Sequence, residues 1–173
     1  MKNLVFHEKQ IQHLHQNLTL RLVNESDIPE LRILVNKAYK ELADRGLNYT
    51  ATYQDEEKTR QRVSQGRAFV LVENKRILAT ILLSIENHFT QRHTAYVGQF
   101  AVLPEFKKSG LGTVLLEHCE KLAKQEGFEG IQLDTAIPAT HLVNWYMSRG
   151  YKIVGEIQWP GKTYRSYFLE LLF

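Results

Sequence analysis

The stretch VLPEFKKSGLGTVLLEHCEKLAKQEG, residues 102–127, sets the reading of the whole chain. It opens extended, passes Pro104 and the paired Lys107 and Lys108, and reaches Gly110-Leu111-Gly112 at the mouth of an amphipathic helix. Leu111, Val114, Leu115, His118, Cys119 and Leu122 fall on one side of that helix, the spacing of a buried face. A helix start carries unpaired N–H groups and a partial positive charge. Glycines there allow close backbone approach, and lysines add mobile charge, so the combination addresses an anion such as a phosphate. The known nucleotide loops do not fit. A Walker loop needs Gly-Lys-Ser/Thr after a longer glycine spacing, and the dinucleotide fingerprint needs a glycine where Leu115 stands. On local pattern alone, a tight turn with close helix–strand packing explains the glycines equally well.

Moving outward, the periodicities give an α/β order. Residues 18–23 alternate as a first strand. A helix follows from the Ser26/Asp27 region, with Pro29 in its first turn, Glu30 closing an Asp-x-x-Glu box and Gly46 past its end. Residues 46–53, GLNYTATY, read as a loop, and 54–66 as a short helix with acids first and bases last. Residues 67–73 and 76–86 form a hairpin about Asn74-Lys75, and 94–102 form another strand. After the 110–127 helix come a short buried strand at 131–136 and a helix from Pro138 to Gly150. Two strands, 151–159 and 163–172, follow, joined at Pro160-Gly161-Lys162. The expectation is one mixed α/β domain over 18–173, preceded by a polar extension over 1–17. His13 and His15 in that extension lack accompanying cysteines or carboxylates, so no metal site is expected.

Composition narrows the partners. A chain of 173 residues with net charge +3 carries its bases scattered rather than in a stripe, which argues against a dedicated nucleic-acid binder. No apolar run approaches the roughly 18 residues of a membrane span. The single cysteine, Cys119, permits no internal disulfide and reads as a core residue. A cytoplasmic protein, monomeric or homodimeric, without nucleic-acid or membrane partners, is the expectation.

The segment Lys107-Lys108-Ser109-Gly110-Leu111-Gly112 resembles the acyl-CoA signature of the GNAT-type N-acetyltransferases, Gln/Arg-x-x-Gly-x-Gly/Ala, with Lys107 in place of the first residue. Downstream, NWYMSRGYKIVGE, residues 144–156, resembles the second signature of that family. The resemblance spans 18–173 and is closest to a bacterial subgroup of unassigned substrate. It departs at Ala139, where many relatives carry an asparagine. It implies a GNAT-like fold: a mixed, mostly antiparallel sheet of about seven strands flanked by about four helices.

The same resemblance implies acetyl-CoA as acyl donor and a primary amine, of a small molecule or a protein, as acceptor. Lys107, Lys108, Ser109, Gly110, Leu111, Gly112 and Thr113 would then hold the pyrophosphate. Phe100, Ala101 and Val102 would pair with the pantetheine arm, and an N–H near Ala101 or Val102 would face the thioester oxygen. Tyr146 would border the cofactor and protonate the leaving thiolate. For the base, Asp134 at a strand end is the candidate, beside Glu86, Gln99 through a water, and Glu105; Asp134 could equally cap the following helix. The loop residues Asn48, Tyr49, Thr50 and Tyr53 would meet the acceptor. An acyl-CoA sensor or interaction module without turnover is the alternative that the sequence leaves open.

Overall fold

The computed structural model describes residues 17–85 and 92–173. The extension and the histidines at 13 and 15 lie outside the described residues, apart from Asn17, and so does Glu86. In chain order the elements are β1 (Thr19–Leu22), α1 (Ile28–Asp44), α2 (Glu56–Val63), β2 (Arg67–Glu73), β3 (Arg76–Ser84), β4 (Thr94–Val102), α3 (Leu111–Gln125), β5 (Gly130–Ala136), α4 (Thr140–Ser148), β6 (Lys152–Ile157) and β7 (Ser166–Leu172). Single 3-10 turns lie at Glu25–Asp27, Thr50–Thr52 and Pro104–Phe106. The expected α/β architecture is borne out, with seven strands in one sheet and four α-helices among the described residues.

The sheet order is β1-β2-β3-β4-β5-β7-β6. Every neighbouring pair is antiparallel except β4 and β5. The β2–β3 hairpin turns on Asn74 and Lys75, both at positive φ, which is the geometry that a tight two-residue turn needs to match strand twist. Helices α1 and α3 pack on β3 and β4. Ile77 to Ser84 are buried throughout, so β3 is covered on both faces rather than alternating. Leu31, Leu34 and Val35 of α1, Leu111, Leu115, Leu116 and Cys119 of α3, and Ile131 and Leu133 of β5 join one apolar core.

Two boundaries differ from the sequence reading for local reasons. Asp27 does not cap α1 with its side chain. It takes two hydrogen bonds from Arg21, at 2.6 and 2.9 Å, and one from the Asn24 N–H at 2.7 Å, tying β1 to the helix start. Glu30 likewise takes no part in a cap and accepts the Ile77 N–H at 2.9 Å. At α4, Pro138 precedes the helix instead of opening it, because the chain first makes a turn in which Ala139 N–H bonds Ala136 O. The α2 cap is the expected kind: Asp55 accepts the Lys58 N–H at 2.7 Å.

Among the described residues no helix is long and apolar enough to cross a membrane.

Candidate active site

The parallel pair opens part-way along. β4 and β5 are in register from Thr94↔Gly130 to Val97↔Leu133, and the ladder stops there. Beyond it β4 continues against β3 alone and β5 continues against β7 as far as Ala136. A V-shaped split therefore lies between Gly98–Val102 and Asp134–Ala136. The break coincides with a bulge: Thr80↔Ala101 and Leu82↔Gly98 leave one extra residue on β4, and Gln99 sits there at φ +44°. A strand edge without its neighbour presents backbone groups that an extended ligand can pair with.

Two tyrosine hydroxyls terminate the two edges. Tyr39, from α1, donates to the Phe100 carbonyl at 3.1 Å. The Tyr49 hydroxyl accepts the Ala136 N–H at 2.8 Å and lies 3.3 Å from Thr135 Oγ1. Their rings meet edge-on at 5.2 Å, and Tyr164 packs on Tyr49 at 4.7 Å. The pair forms a wedge in the split. Phe100 O is thereby engaged, which leaves the neighbouring positions Ala101 and Val102 as the part of the predicted cofactor strand without a side-chain partner on this edge.

At one end of the split α3 begins. Lys108 is at φ +63° and Gly110 at φ +92°, so the chain alternates handedness as it enters the helix, the arrangement that turns successive N–H groups into a concave anion nest. The N–H groups of Leu111, Gly112 and Thr113 have no backbone partner among the described residues, while Val114 N–H already bonds Gly110 O. A Cβ on Gly112 would stand 3.4 Å from Phe100 Cζ and 3.5 Å from Val102 Cγ2, ordinary van der Waals contact, so packing of helix on strand does not itself require this glycine. Ser109 hydroxyl donates to Phe106 O at 2.6 Å and tightens the turn. Lys107 reaches Glu41 of α1 at 2.8 Å and holds that carboxyl below its ordinary range. A pyrophosphate fits such a cradle: the first-turn N–H groups lack backbone partners at a helix N-terminus, and Lys108 lies in the same turn.

Tyr146 stands on the inner face of α4, 7% exposed. Trp145 at 5.0 Å and Tyr151 at 5.7 Å pack on its ring. Arg149 holds the end of α4 to α3 through Glu117 at 3.0 Å. Burial, then the neighbouring phenols Tyr39 and Tyr49 and the Asp134 charge, push the Tyr146 hydroxyl well above the ordinary phenol value. It has no hydrogen-bond partner among the described residues.

Asp134 is the first β5 residue past the last β4–β5 pair. Tyr96 of β4 donates to one of its oxygens and Trp159 Nε1 to the other at 3.1 Å. It therefore does not cap α4, which begins six residues later without a side-chain cap. Glu105 is tied to Arg76 at the surface. Gln99 is 8% exposed, and neither its Oε1 nor its Nε2 has a partner. Leaving such a group unpaired costs about 1–3 kcal/mol.

The predicted acceptor residues form a roof made of two loops. Asn48 donates to Gly161 O at 2.8 Å and accepts from Thr163 N–H at 2.8 Å. Lys162 Nζ donates to Asn48 O and to Thr50 Oγ1, both at 2.9 Å. Tyr53, 65% exposed, lies at the rim with its ring 5.6 Å from Lys162 Nζ. The polar groups of Asn48, Tyr49 and Thr50 are thus engaged in joining loop 46–53 to loop 158–165 or to β5. Sequence reasoning missed Tyr39, Tyr96, Trp159 and Tyr164. Only the register of the split strands makes them neighbours. No group of three or more metal-ligating side chains is clustered among the described residues.

Comparison with known proteins agrees with this geometry. The model of the Acetyltransferase (GNAT) family matches residues 31–151. The chain is 28% identical over 154 residues to S-(2-succino)cysteine N-acetyltransferase of Bacillus subtilis (strain 168), covering 87% of this chain and 93% of that one. It is 26% identical over 146 residues to S-alkylcysteine N-acetyltransferase of the same organism, covering 82% of each. Among solved structures, the ribosomal-protein-S18-alanine N-acetyltransferase of Escherichia coli superposes with TM-score 0.71 at 16% identity, over 90% of this chain and 93% of that one. YncA of Salmonella typhimurium, solved with its cofactor acetyl-CoA, superposes with TM-score 0.69 at 18% identity, over 90% and 94%. The chain belongs to the acetyltransferase (GNAT) family and is an acyltransferase, an acetyl-CoA-dependent N-acetyltransferase.

Proposed function

We propose that the acetyl group passes directly from acetyl-CoA to the α-amine of a small amino acid, a cysteine thioether or a relative of one, with no acetylated enzyme between. The observation that carries this reading is the split itself. One carboxylate, Asp134, stands at its vertex, one unpartnered phenol, Tyr146, stands in its wall, and an anion cradle opens at one end. Acetyl-CoA, when bound, supplies an activated acyl carbon and a thiolate leaving group.

The chain's residues supply the rest. The first-turn N–H groups of α3 with Lys108 hold the phosphates, and the β4 edge at Ala101 and Val102 aligns the arm. Asp134 attracts the acceptor's ammonium and takes its proton, held in place by Tyr96 and Trp159. The amine nitrogen would then form its bond to the acyl carbon as the carbon–sulfur bond breaks, the Tyr146 hydroxyl would give its proton to the sulfur, the nitrogen's remaining extra proton would restore the phenol, and the Asp134 proton would leave to solvent. Burial keeps that hydroxyl protonated, as a donor must be.

The acceptor class rests on two supports. Two relatives that match over four fifths or more of both chains act, by name, on cysteine derivatives. Lys162 on the roof and the half-buried Arg62 have no carboxylate partner among the described residues, and the Arg62 charge is felt by the phenols of Tyr39, Tyr53 and Tyr164. Uncompensated cations at the acceptor side favour a substrate that carries a carboxylate.

The test is an acceptor screen with acetyl-CoA, reading thiol release and the acetylated product by mass spectrometry. S-Alkylcysteines and free amino acids should turn over faster than aliphatic amines or N-terminal peptides. With a good acceptor, Tyr146→Phe should lower turnover by at least about tenfold with CoA affinity unchanged. Amine-independent thiol release, or full turnover in the phenylalanine variant, would contradict the reading.

A further inference from the structure

Gln99 stands out among the buried polar groups. It is the second β4 residue past the last β4–β5 pair, so continued register would set it opposite Thr135 at the vertex of the split. It is the bulged residue and holds a left-handed φ of +44°, a conformation that a glutamine adopts at a cost. Its side chain is more than nine-tenths buried with both carboxamide atoms unpaired. Strain, bulge and an orphaned amide thus coincide on one residue. Native interiors rarely leave both ends of a buried amide without a partner, and a bound ligand is one group that supplies them.

A carboxamide offers an acceptor and a donor side by side. A single ligand satisfies both when it carries an N–H next to a carboxylate or carbonyl oxygen. A simple alkylamine satisfies only one. Resting on the acetyl-transfer reading above, we propose that Gln99 is the acceptor-positioning residue that reads an α-amino acid, its Oε1 accepting from the α-amine and its Nε2 donating to the adjacent carboxylate. One amine N–H is then fixed, and the nitrogen lone pair is left free to face the acyl carbon. The strained bulge sets the carboxamide at the vertex, one residue beyond the β4 position facing Asp134.

The test compares each of several L-α-amino acids with its decarboxylated amine, using wild type, Gln99→Met and Gln99→Asn. Methionine keeps the length and removes both hydrogen-bonding atoms. Asparagine keeps the amide, withdraws it and tolerates the positive φ. In both variants KM for the amino acids should rise by about tenfold or more, the loss expected when a buried polar group loses its partner, and by clearly less for the matching amines, which engage only one of the two carboxamide atoms. CoA affinity should hold. The melting temperature of Gln99→Met should not fall, because an orphaned amide is replaced by an apolar chain.

Equal losses for amino acids and amines would overturn the recognition role. So would undiminished KM values, or wild-type turnover confined to the amines. Absence of turnover with either set in the wild type would overturn both this inference and the reading beneath it. The first two results leave that reading standing, and the third removes its amino-acid acceptor while leaving the acetyl transfer.

Discussion

A phenol as enclosed as Tyr146 changes its acid chemistry. Its hydroxyl titrates well above the ordinary value because burial and nearby phenols disfavour the phenolate. The sign follows directly: the donor form persists through neutral and alkaline pH up to and beyond about 10, the unperturbed phenol value. Turnover should therefore rise with pH as the acceptor amine loses its proton, with no falling limb from Tyr146 below that value. A pH–rate profile under chemistry-limited conditions checks this, and a descending limb near pH 8 that vanishes in Tyr146→Phe would contradict it. The two glycines of the cradle differ at the same scale. Gly110 holds φ +92°, so Gly110→Ala should cost stability of about 1–2 kcal/mol and also disturb the nest. Gly112 meets only ordinary contacts to Phe100 and Val102, so Gly112→Ala should leave the melting temperature nearly unchanged. CoA titration with thermal denaturation of both variants separates the roles. A larger stability loss at Gly112 would reverse the assignment.

Between elements, the wedge is the feature that keeps the sheet open. Tyr39 and Tyr49 terminate the facing edges of β4 and β5, each hydroxyl serving a backbone group that lost its ladder partner. Tyr39→Phe or Tyr49→Phe should each destabilise by about 1–2 kcal/mol, since each strands a buried backbone group. The double variant should depart from additivity because the rings touch. Chemical denaturation of the four proteins measures this, and strict additivity with no loss in either single variant would refute the wedge. These contacts also mark what the sequence could and could not say. The α3 start was legible because its signals are local: a proline, two lysines and two glycines beside an apolar stripe. The hairpin at Asn74-Lys75 was legible for the same reason. Tyr146 was visible through its motif. The wedge was not, because Tyr39 and the Phe100 carbonyl it serves stand 61 residues apart in the chain. Nor was the Gln99 bulge, since φ is decided by β3–β4 pairing over residues distant in the chain. The engagement of Asn48 with Thr163 and Gly161 likewise depends on two loops more than 110 residues apart.

For the molecule as a whole, the proposed reading sets donor and acceptor on two sides of one opening, so that both can be present together. The alternative, an acetylated enzyme, needs a nucleophile. The only cysteine, Cys119, is buried in the α3 face of the core with its thiol pushed up to about 12, mainly by burial. It is therefore a packing residue. The account then turns on direct transfer in a ternary complex. The most direct measurement mixes the protein rapidly with acetyl-CoA in the absence of any amine, following free thiol and the intact protein mass, and then adds acceptor. The account predicts no burst of thiol and no mass increase before the amine arrives, followed by thiol release and acetylated amine in equal amounts. A burst of thiol equal to the enzyme, with a matching acetyl adduct on the chain, would contradict it.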